Sequence, residues 1–218
     1  MNSFALFLHG TYGRRDLPFY KALAKGRFCI AVDGGLSFFQ KTGLKPRMIV
    51  GDFDSIRRDP RREFPKSEIA IFPVNKDKTD TQLAVESAIK NGATAIDIVQ
   101  PIFGEADHFT GNLLLLASLV ENRRNRHLKL RLVNAAYEII FLRDGTCVIS
   151  GSVGDTVSVV PLTPSITLNC VGTAFPADRL RVKRGETVAL RNKITSKRAT
   201  IAVRGQAFLF HQFSSRSR

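Results

Sequence analysis

Tryptophan is absent from the 218 residues and cysteine occurs only three times. Each scarcity excludes something. Without Trp, any stacking of an aromatic ring on a ligand falls to Phe or Tyr. Cys29, Cys147 and Cys170 are odd in number and lack CxxC spacing, which argues against a disulfide framework or a zinc site and points to a reducing cytoplasm. No long apolar run exists either. The longest, Leu113 to Val120 with Ser118 inside it, is far too short to cross a bilayer, so no membrane association is expected. Met1 to Leu8 has no basic residue ahead of its apolar stretch and does not read as a signal peptide. Catalytic signatures are missing too. No Gly-Lys pair occurs, which removes the Walker-type phosphate loop, and no GxGxxG follows the first apolar run. There is no GxSxG elbow and no HExxH helix. Asp52 to Glu63 is not an EF-hand loop, because Ile56 and Arg57 stand where a ligand and a glycine belong.

What remains is an ordinary globular balance, 44% hydrophobic and 24% charged, long enough for one large domain or two small ones. Acid is in short supply: 19 Asp and Glu against 33 Lys and Arg leave a net charge of +14. Such a surplus first suggests nucleic acid or an anionic ligand. Its distribution weakens the first of these. Residues 1–120 hold 16 basic and 13 acidic side chains, whereas residues 121–218 hold 17 and 6. The basic clusters, Arg57, Arg58, Arg61, Arg62 and Arg123, Arg124, Arg126, read as solvated faces. No RNA-recognition signature, zinc finger or interleaved aromatic stripe accompanies them. A basic nucleic-acid-binding protein is kept as an alternative class, but nucleic acid is not the expected partner.

Through residue 136 two patterns alternate. Short apolar or β-branched runs at 4–8, 28–32, 48–50, 69–72, 95–99 and 128–133 suit strands buried on both faces. Helical stretches at 17–25, 36–42, 79–91 and 109–122 lie between them; in the third, Leu83, Ala84, Ala88 and Ile89 form a stripe, and Asn91-Gly92 closes it. This predicts an α/β domain, residues 1–136, with a mostly parallel sheet and covering helices. From Tyr137 onward short alternating strands are separated by Asp144-Gly145, Gly151, Gly154, Pro164, Gly172, Gly185 and Gly205. That predicts a small, antiparallel, sandwich-like all-β domain, residues 137–218.

The chemistry concentrates at strand ends. Asp33 precedes Gly34-Gly35; Asp52 and Asp54 lie in Gly51-Asp52-Phe53-Asp54-Ser55; Asp77 and Asp80 lie in Lys76-Asp77-Lys78-Thr79-Asp80; Asp107-His108 follows Gly104. In an open α/β sheet such loops converge on one crevice. Converging carboxylates repel each other unless a cation neutralises them, which points to Mg²⁺ and bound phosphates. Glycines and helix N-termini add room and donors. Any one of these acids could simply cap a turn, but four such loops in succession argue for a site. His9, His127 and His211 have no local partner and are expected to be exposed or structural, whereas His108 adjoins the acids.

These motifs, in this order and at this spacing, resemble thiamin pyrophosphokinases: Ala31-Val32-Asp33-Gly34-Gly35, GDFDS at 51–55, KDKTD at 76–80, and Asp107-His108 with Asn112. The resemblance runs over almost the whole chain. It implies transfer of a pyrophosphoryl group from ATP, the co-substrate, to the hydroxyethyl oxygen of thiamin, with Mg²⁺ required. On that basis Asp52, Asp54 and Asp80 are the catalytic, metal-holding acids. Asp33, Gly34, Gly35, Ser55, Lys76, Asp77, Thr79, Asp107, His108 and Asn112 are the ATP-side residues. Arg191 and Asn192 are the thiamin-side residues of the β-domain. A homodimer with an acceptor site shared between chains is also implied. Three segments depart from the family pattern. Phe103, Gly104 and Glu105 replace Gly-Gly-Arg, Arg191-Asn192 replaces Ser-Asn, and Gly172 to Pro176 only partly matches Gly-Leu-Lys-Tyr-Pro. These departures motivate a second enzymatic reading, pyrophosphorylation of another alcohol such as a hydroxymethylpterin.

Overall fold

Residues 2–51, 59–72, 77–101, 105–125, 127–150 and 153–214 are described in a computed structural model. The chain divides into two compact units, residues 1–135 and residues 136–218.

In the first unit, β1 (Ser3–Phe7), β2 (Phe28–Val32), β3 (Met48–Gly51), β4 (Glu68–Ile71), β5 (Ala95–Val99) and β6 (Lys129–Val133) form one parallel sheet. Its spatial order is β6-β5-β1-β2-β3-β4. The helices α1 (Leu17–Ala24), α2 (Leu36–Thr42), α3 (Pro60–Glu63), α4 (Asp80–Lys90) and α5 (Ala106–Glu121) lie between the strands in sequence. The central strands are apolar on both faces because both faces are covered. On one face Ala5, Phe7, Ala31, Ile49, Val99 and Val133 meet Tyr20, Leu23, Phe38 and Phe39 from α1 and α2. Phe7 stacks on Phe38 with ring centroids 4.3 Å apart, and Tyr12 and Phe39 close round them. α4 packs against β1, β2 and β3 and buries Ala84, Val85 and Ala88.

Two details differ from the sequence expectation. α5 begins at Ala106, three residues earlier than the apolar stretch suggested, with Glu105 at its N-cap position and Asp107 in its first turn. Acids there favour the positive end of the helix. The short helix α3 was not visible in the basic run. It starts because the Asp59 side chain accepts from the Arg61 backbone N–H at 2.9 Å and Pro60 fits the first helical position.

The parallel sheet buries one acid. Asp97, in β5, accepts from Arg131 Nε and Nη2 at 2.8 Å each and also pairs with Arg27. Burial alone would raise its carboxyl, but the hydrogen bonds and charges of Arg131 and Arg27 outweigh this and hold it below the usual value.

In the second unit, β7 (Tyr137–Ile149), β8 (Thr156–Pro161), β9 (Ser165–Val171), β10 (Ala177–Lys183), β11 (Asn192–Lys193) and β12 (Ala199–Gln212) pair antiparallel. β7 runs along one edge of β12 for its whole length. On the other edge, the first half of β12 pairs with β9 and the second half with β8. The register shifts between Val203 and Gln206, where the strand passes from one partner to the other. Leu142, Val157, Val159, Ile166, Leu168, Val182, Ile201, Val203 and Leu209 fill the space enclosed. One polar cluster is buried among them. His211 lies between Glu138, 3.1 Å from Nδ1, and Asp155, 2.9 Å from Nε2, and the Ser214 backbone N–H donates to Asp155 at 2.7 Å. Burial disfavours the charged ring, but the two carboxylates overcome that and raise its pKa. His211 was expected to be exposed or structural; it is buried, and its partners come from distant parts of the chain. All three thiols are free, and burial pushes those of Cys29 and Cys170 up to about 11, far from the reactive range.

Candidate active site

Strand order in the first unit reverses at β1: successive strands add on one side through β4, and the chain then returns to β5 on the other side. Ligands of open α/β sheets bind outside the carboxyl ends of the strands at such a point. A crevice of about 660 Å³ lies there. It is lined by Leu8 and His9 after β1, Val32 and Asp33 at the end of β2, Thr79, Asp80 and Thr81 at the start of α4, Gln100 after β5, and Glu105, His108 and Asn112 on and before α5.

The Asp33-Gly34-Gly35 wall is fixed by close approach. These residues form a single 3-10 turn between β2 and α2. A Cβ on Gly35 would sit 1.8 Å from the Phe7 carbonyl oxygen, so the turn lies directly on the backbone at the end of β1. A Cβ on Gly34 would sit 1.9 Å from His9 Nδ1, so the imidazole rests on that glycine. Asp33 itself has φ 46°, a left-handed conformation unusual for an acid. Its Oδ1 atom is buried and has no hydrogen-bond partner among the described residues.

On the second wall the Thr79 side chain caps α4, accepting from the Gln82 backbone N–H at 3.3 Å. Asp80 follows at the first helical position, half-buried, where the helix N-terminus favours its negative charge. On the third, Glu105 Oε2 is 3.3 Å from His108 Nε2, and Asp107 accepts from the His108 backbone N–H at 2.8 Å. The glutamate that replaces the family's arginine is thus engaged with a neighbouring histidine. One turn further along, buried Asn112 donates from Nδ2 to Oε1 of buried Gln100 at 3.2 Å.

Of the residues singled out in the sequence, Asp33, Thr79, Asp80, His108 and Asn112 line one crevice, and Gly34 and Gly35 back it. Asp77 and Asp107 are exposed beside it in sequence and are not among its lining residues. Asp52, Asp54, Ser55 and Lys76 lie outside the described residues. Arg191 and Asn192 belong to the second unit. The Arg191 backbone N–H donates to Ser158 at 2.9 Å. The Asn192 amide is spent on a neighbouring loop, accepting from the Phe175 N–H at 3.0 Å and donating to the Phe175 carbonyl and to Thr173.

Lining residues that the sequence did not single out for the site include His9, Thr81 and Gln100. His9 was expected to be a bystander, and Gln100 was not singled out at all. A signal was available, since Gln100 directly follows β5, as Asp33 follows β2, and His9 lies two residues beyond β1.

The family model for "Thiamin pyrophosphokinase, catalytic domain" matches residues 19–130, which include every described lining residue except Leu8 and His9. The thiamine pyrophosphokinase of Bacillus subtilis (strain 168) is 29% identical over 177 residues, covering 79% of this chain and 81% of that protein. Among solved structures, thiamine pyrophosphokinase from B. subtilis superposes with a TM-score of 0.83 at 24% identity, covering 98% of this chain and all of that one. Thiamin pyrophosphokinase from Candida albicans superposes at 0.80 and 16% identity, covering 98% of this chain and 89% of that one. At these identities the superpositions establish the shared fold, in which an α/β unit precedes a β unit. The family model supplies the rest: the chain belongs to the thiamin pyrophosphokinase family.

Proposed function

We propose that the crevice carries out the reaction for which the family is named. The hydroxyethyl oxygen of thiamin attacks the β-phosphorus of ATP, the bond from that phosphorus to the α,β-bridging oxygen breaks, and AMP leaves with the bridging oxygen. The hydroxyl proton passes to a crevice carboxylate. The observation that carries this reading is the convergence of Asp33, Asp80, His108 and Asn112, from the segments that follow three different strands, on one crevice at the switch point of the sheet. Phosphoryl chemistry asks mainly for positioning and charge stabilisation, and a rigid cradle of loop ends supplies both.

Mg²⁺ fits this donor set. Asp33 Oδ1 is a buried carboxylate oxygen with no donor among the described residues, and hard cations take such oxygens. Asp52, Asp54 and Asp80 would hold the ion, and its charge would offset that on the transferred group. Gly34, Gly35, Ser55, Lys76, Asp77, Thr79, Asp107, His108 and Asn112 complete the ATP side. Arg191 and Asn192 serve the acceptor side, Asn192 through the Phe175 loop that it holds. A homodimer sharing the acceptor site is supported by where apolar surface is left. Ile201, Val203 and Phe208 in β12 are buried, but Phe175 and Val188 are 76% and 65% exposed. Among the described residues no helix is long and apolar enough to cross a membrane, and free thiols suit a cytoplasmic setting.

The test is AMP release titrated with thiamin, with and without Mg²⁺, beside a hydroxymethylpterin as rival acceptor. Turnover that requires thiamin and Mg²⁺ is expected. Turnover on the pterin alcohol alone would overturn the acceptor. Mixing Asp52→Asn with Asn192→Ala under subunit exchange tests the shared site: partial recovery is expected, and none despite proven exchange refutes it.

A further inference from the structure

Gln100 and Asn112 are each 7% exposed. They make one hydrogen bond, Asn112 Nδ2 to Gln100 Oε1 at 3.2 Å. A primary amide carries two donor hydrogens and an acceptor oxygen, and buried amides ordinarily spend them. Here Gln100 Nε2 and Asn112 Oδ1 have no partner among the described residues, and both residues line the crevice. The pair therefore offers one unengaged donor group, the Gln100 amide nitrogen, and one unengaged acceptor group, the Asn112 carbonyl. Turning both amides over together preserves the mutual bond and still leaves one donor and one acceptor. Neither group is charged, so the pair adds nothing to the neutralisation of phosphate. What it matches is a neutral ring edge with a donor beside an acceptor.

We infer that Gln100 and Asn112 together read the edge of a 4-aminopyrimidine ring, with Gln100 as a specificity residue of the crevice. The exocyclic amine of such a ring donates and the adjacent ring nitrogen accepts. Adenine and the pyrimidine of thiamin both contain this edge, so either half of the reaction can supply it. The inference rests on the proposed reaction for its two candidate rings, and the structure supplies the complementary pair. A buried polar pair left unmatched by a ligand penalises that ligand, which is how hydrogen-bonding sites reject analogues that lack the group.

The experiment is equilibrium binding by calorimetry, which needs no turnover and so stands apart from the assay of the reaction itself. Gln100→Met keeps the side-chain length and removes the amide. It should weaken ATP about tenfold while leaving inorganic tripolyphosphate unchanged if the ring is adenine. It should weaken thiamin and spare 5-(2-hydroxyethyl)-4-methylthiazole if the ring is the pyrimidine. A variant that binds ATP and thiamin as the wild type does, or loses tripolyphosphate as strongly as ATP, overturns the inference. Should Gln100→Met fail to fold, the wild type is measured with ligands lacking the amine, purine riboside triphosphate and 4-deaminothiamin. A roughly tenfold loss for one of them is expected, and no loss for either refutes the assignment. Absence of AMP release by the wild type would sink the proposed reaction and leave these binding ratios to be judged by themselves.

Discussion

Gly34 and Gly35 are neighbours, and the same substitution should have opposite consequences at each. At Gly35 the new Cβ would stand 1.8 Å from the Phe7 carbonyl oxygen, against a floor of 3.0 Å for real contacts. That obstacle is backbone in a central strand, so the turn must lift by about 1 Å or more. The backbone angles at Gly35, φ −60° and ψ −16°, suit any residue, so the whole penalty is steric. Overpacking of this kind costs about 3 kcal/mol, which corresponds to roughly 10 °C in melting temperature for a unit of this size. At Gly34 the obstacle is the imidazole of His9, an exposed side chain that can swing away. Gly34→Ala should therefore stay within about 1 kcal/mol of wild type while driving His9 out of the crevice. Thermal unfolding followed by circular dichroism checks the first half. ATP titration checks the second: Gly34→Ala should weaken ATP several-fold, and its effect should vanish in a His9→Ala background, because the two substitutions act through one ring. Equal melting losses for the two glycine variants, or an undiminished Gly34→Ala effect without His9, would refute this account.

Asp80→Asn should lower turnover by more than about a hundredfold, some 2.7 kcal/mol of barrier, with the melting temperature held; activity within tenfold of wild type would remove Asp80 from the site. Asp97→Asn should destabilise the first unit by about 2 kcal/mol at neutral pH, below the figure for a fully buried pair because Arg27 and Arg131 are a quarter to a third exposed. Because the folded Asp97 carboxyl lies below its usual value, its contribution is present above about pH 4 and disappears as pH falls through the folded value. Urea titrations across acid pH should show the variant and wild type converging, and parallel curves would refute the ion cluster's role. His211 has the opposite sign: its raised pKa means full stabilisation below about pH 6.5, lost as pH climbs through the folded value. His211→Gln should cost about 3 kcal/mol in mildly acidic buffer and less at higher pH, so a constant difference in melting temperature from pH 6 to 9 would show that the ring is not charged.

Much of the fold was legible because strands buried on both faces leave short, unbroken apolar runs. β2 and β5 are read directly, and the change to alternating, glycine-punctuated strands at Tyr137 falls where β7 begins. Asp33 and Asp80 could be picked out for a related reason, since an acid after an apolar strand has few structural duties, and both line the crevice. What was not legible was company. His9 and Gln100 sit at strand ends as Asp33 does, yet a lone histidine and a lone glutamine carry no pattern until the sheet order places them side by side. The start of α5 was misplaced because the apolar stripe begins only at Phe109, although the helix itself is begun by Ala106 and Asp107. Asn192 shows the converse limit. Its position in the sequence suggests ligand recognition, but the geometry reveals an amide already committed to the Phe175 loop.

The long pairing of β12 also governs the order in which the chain can fold. Its partners in β7 lie 50 to 75 residues earlier, from Ile149 opposite Ala199 to Tyr137 opposite Gln212. β8 and the second edge of β9 depend on β12 as well, so apart from the local β9–β10 hairpin the second unit is built largely from contacts that close large loops. Such topologies fold slowly, because the entropy of loop closure is lost before the contacts return it. On a ribosome the first unit's β1-α1-β2 elements can assemble as they emerge, whereas the second must wait until residues 199–212 have been synthesised. For that interval β7, β8 and β9 expose unpaired edges and apolar side chains that attract other nascent chains. A lesion that delays or truncates β12 would therefore act chiefly on yield during synthesis, and would leave the first unit free to form.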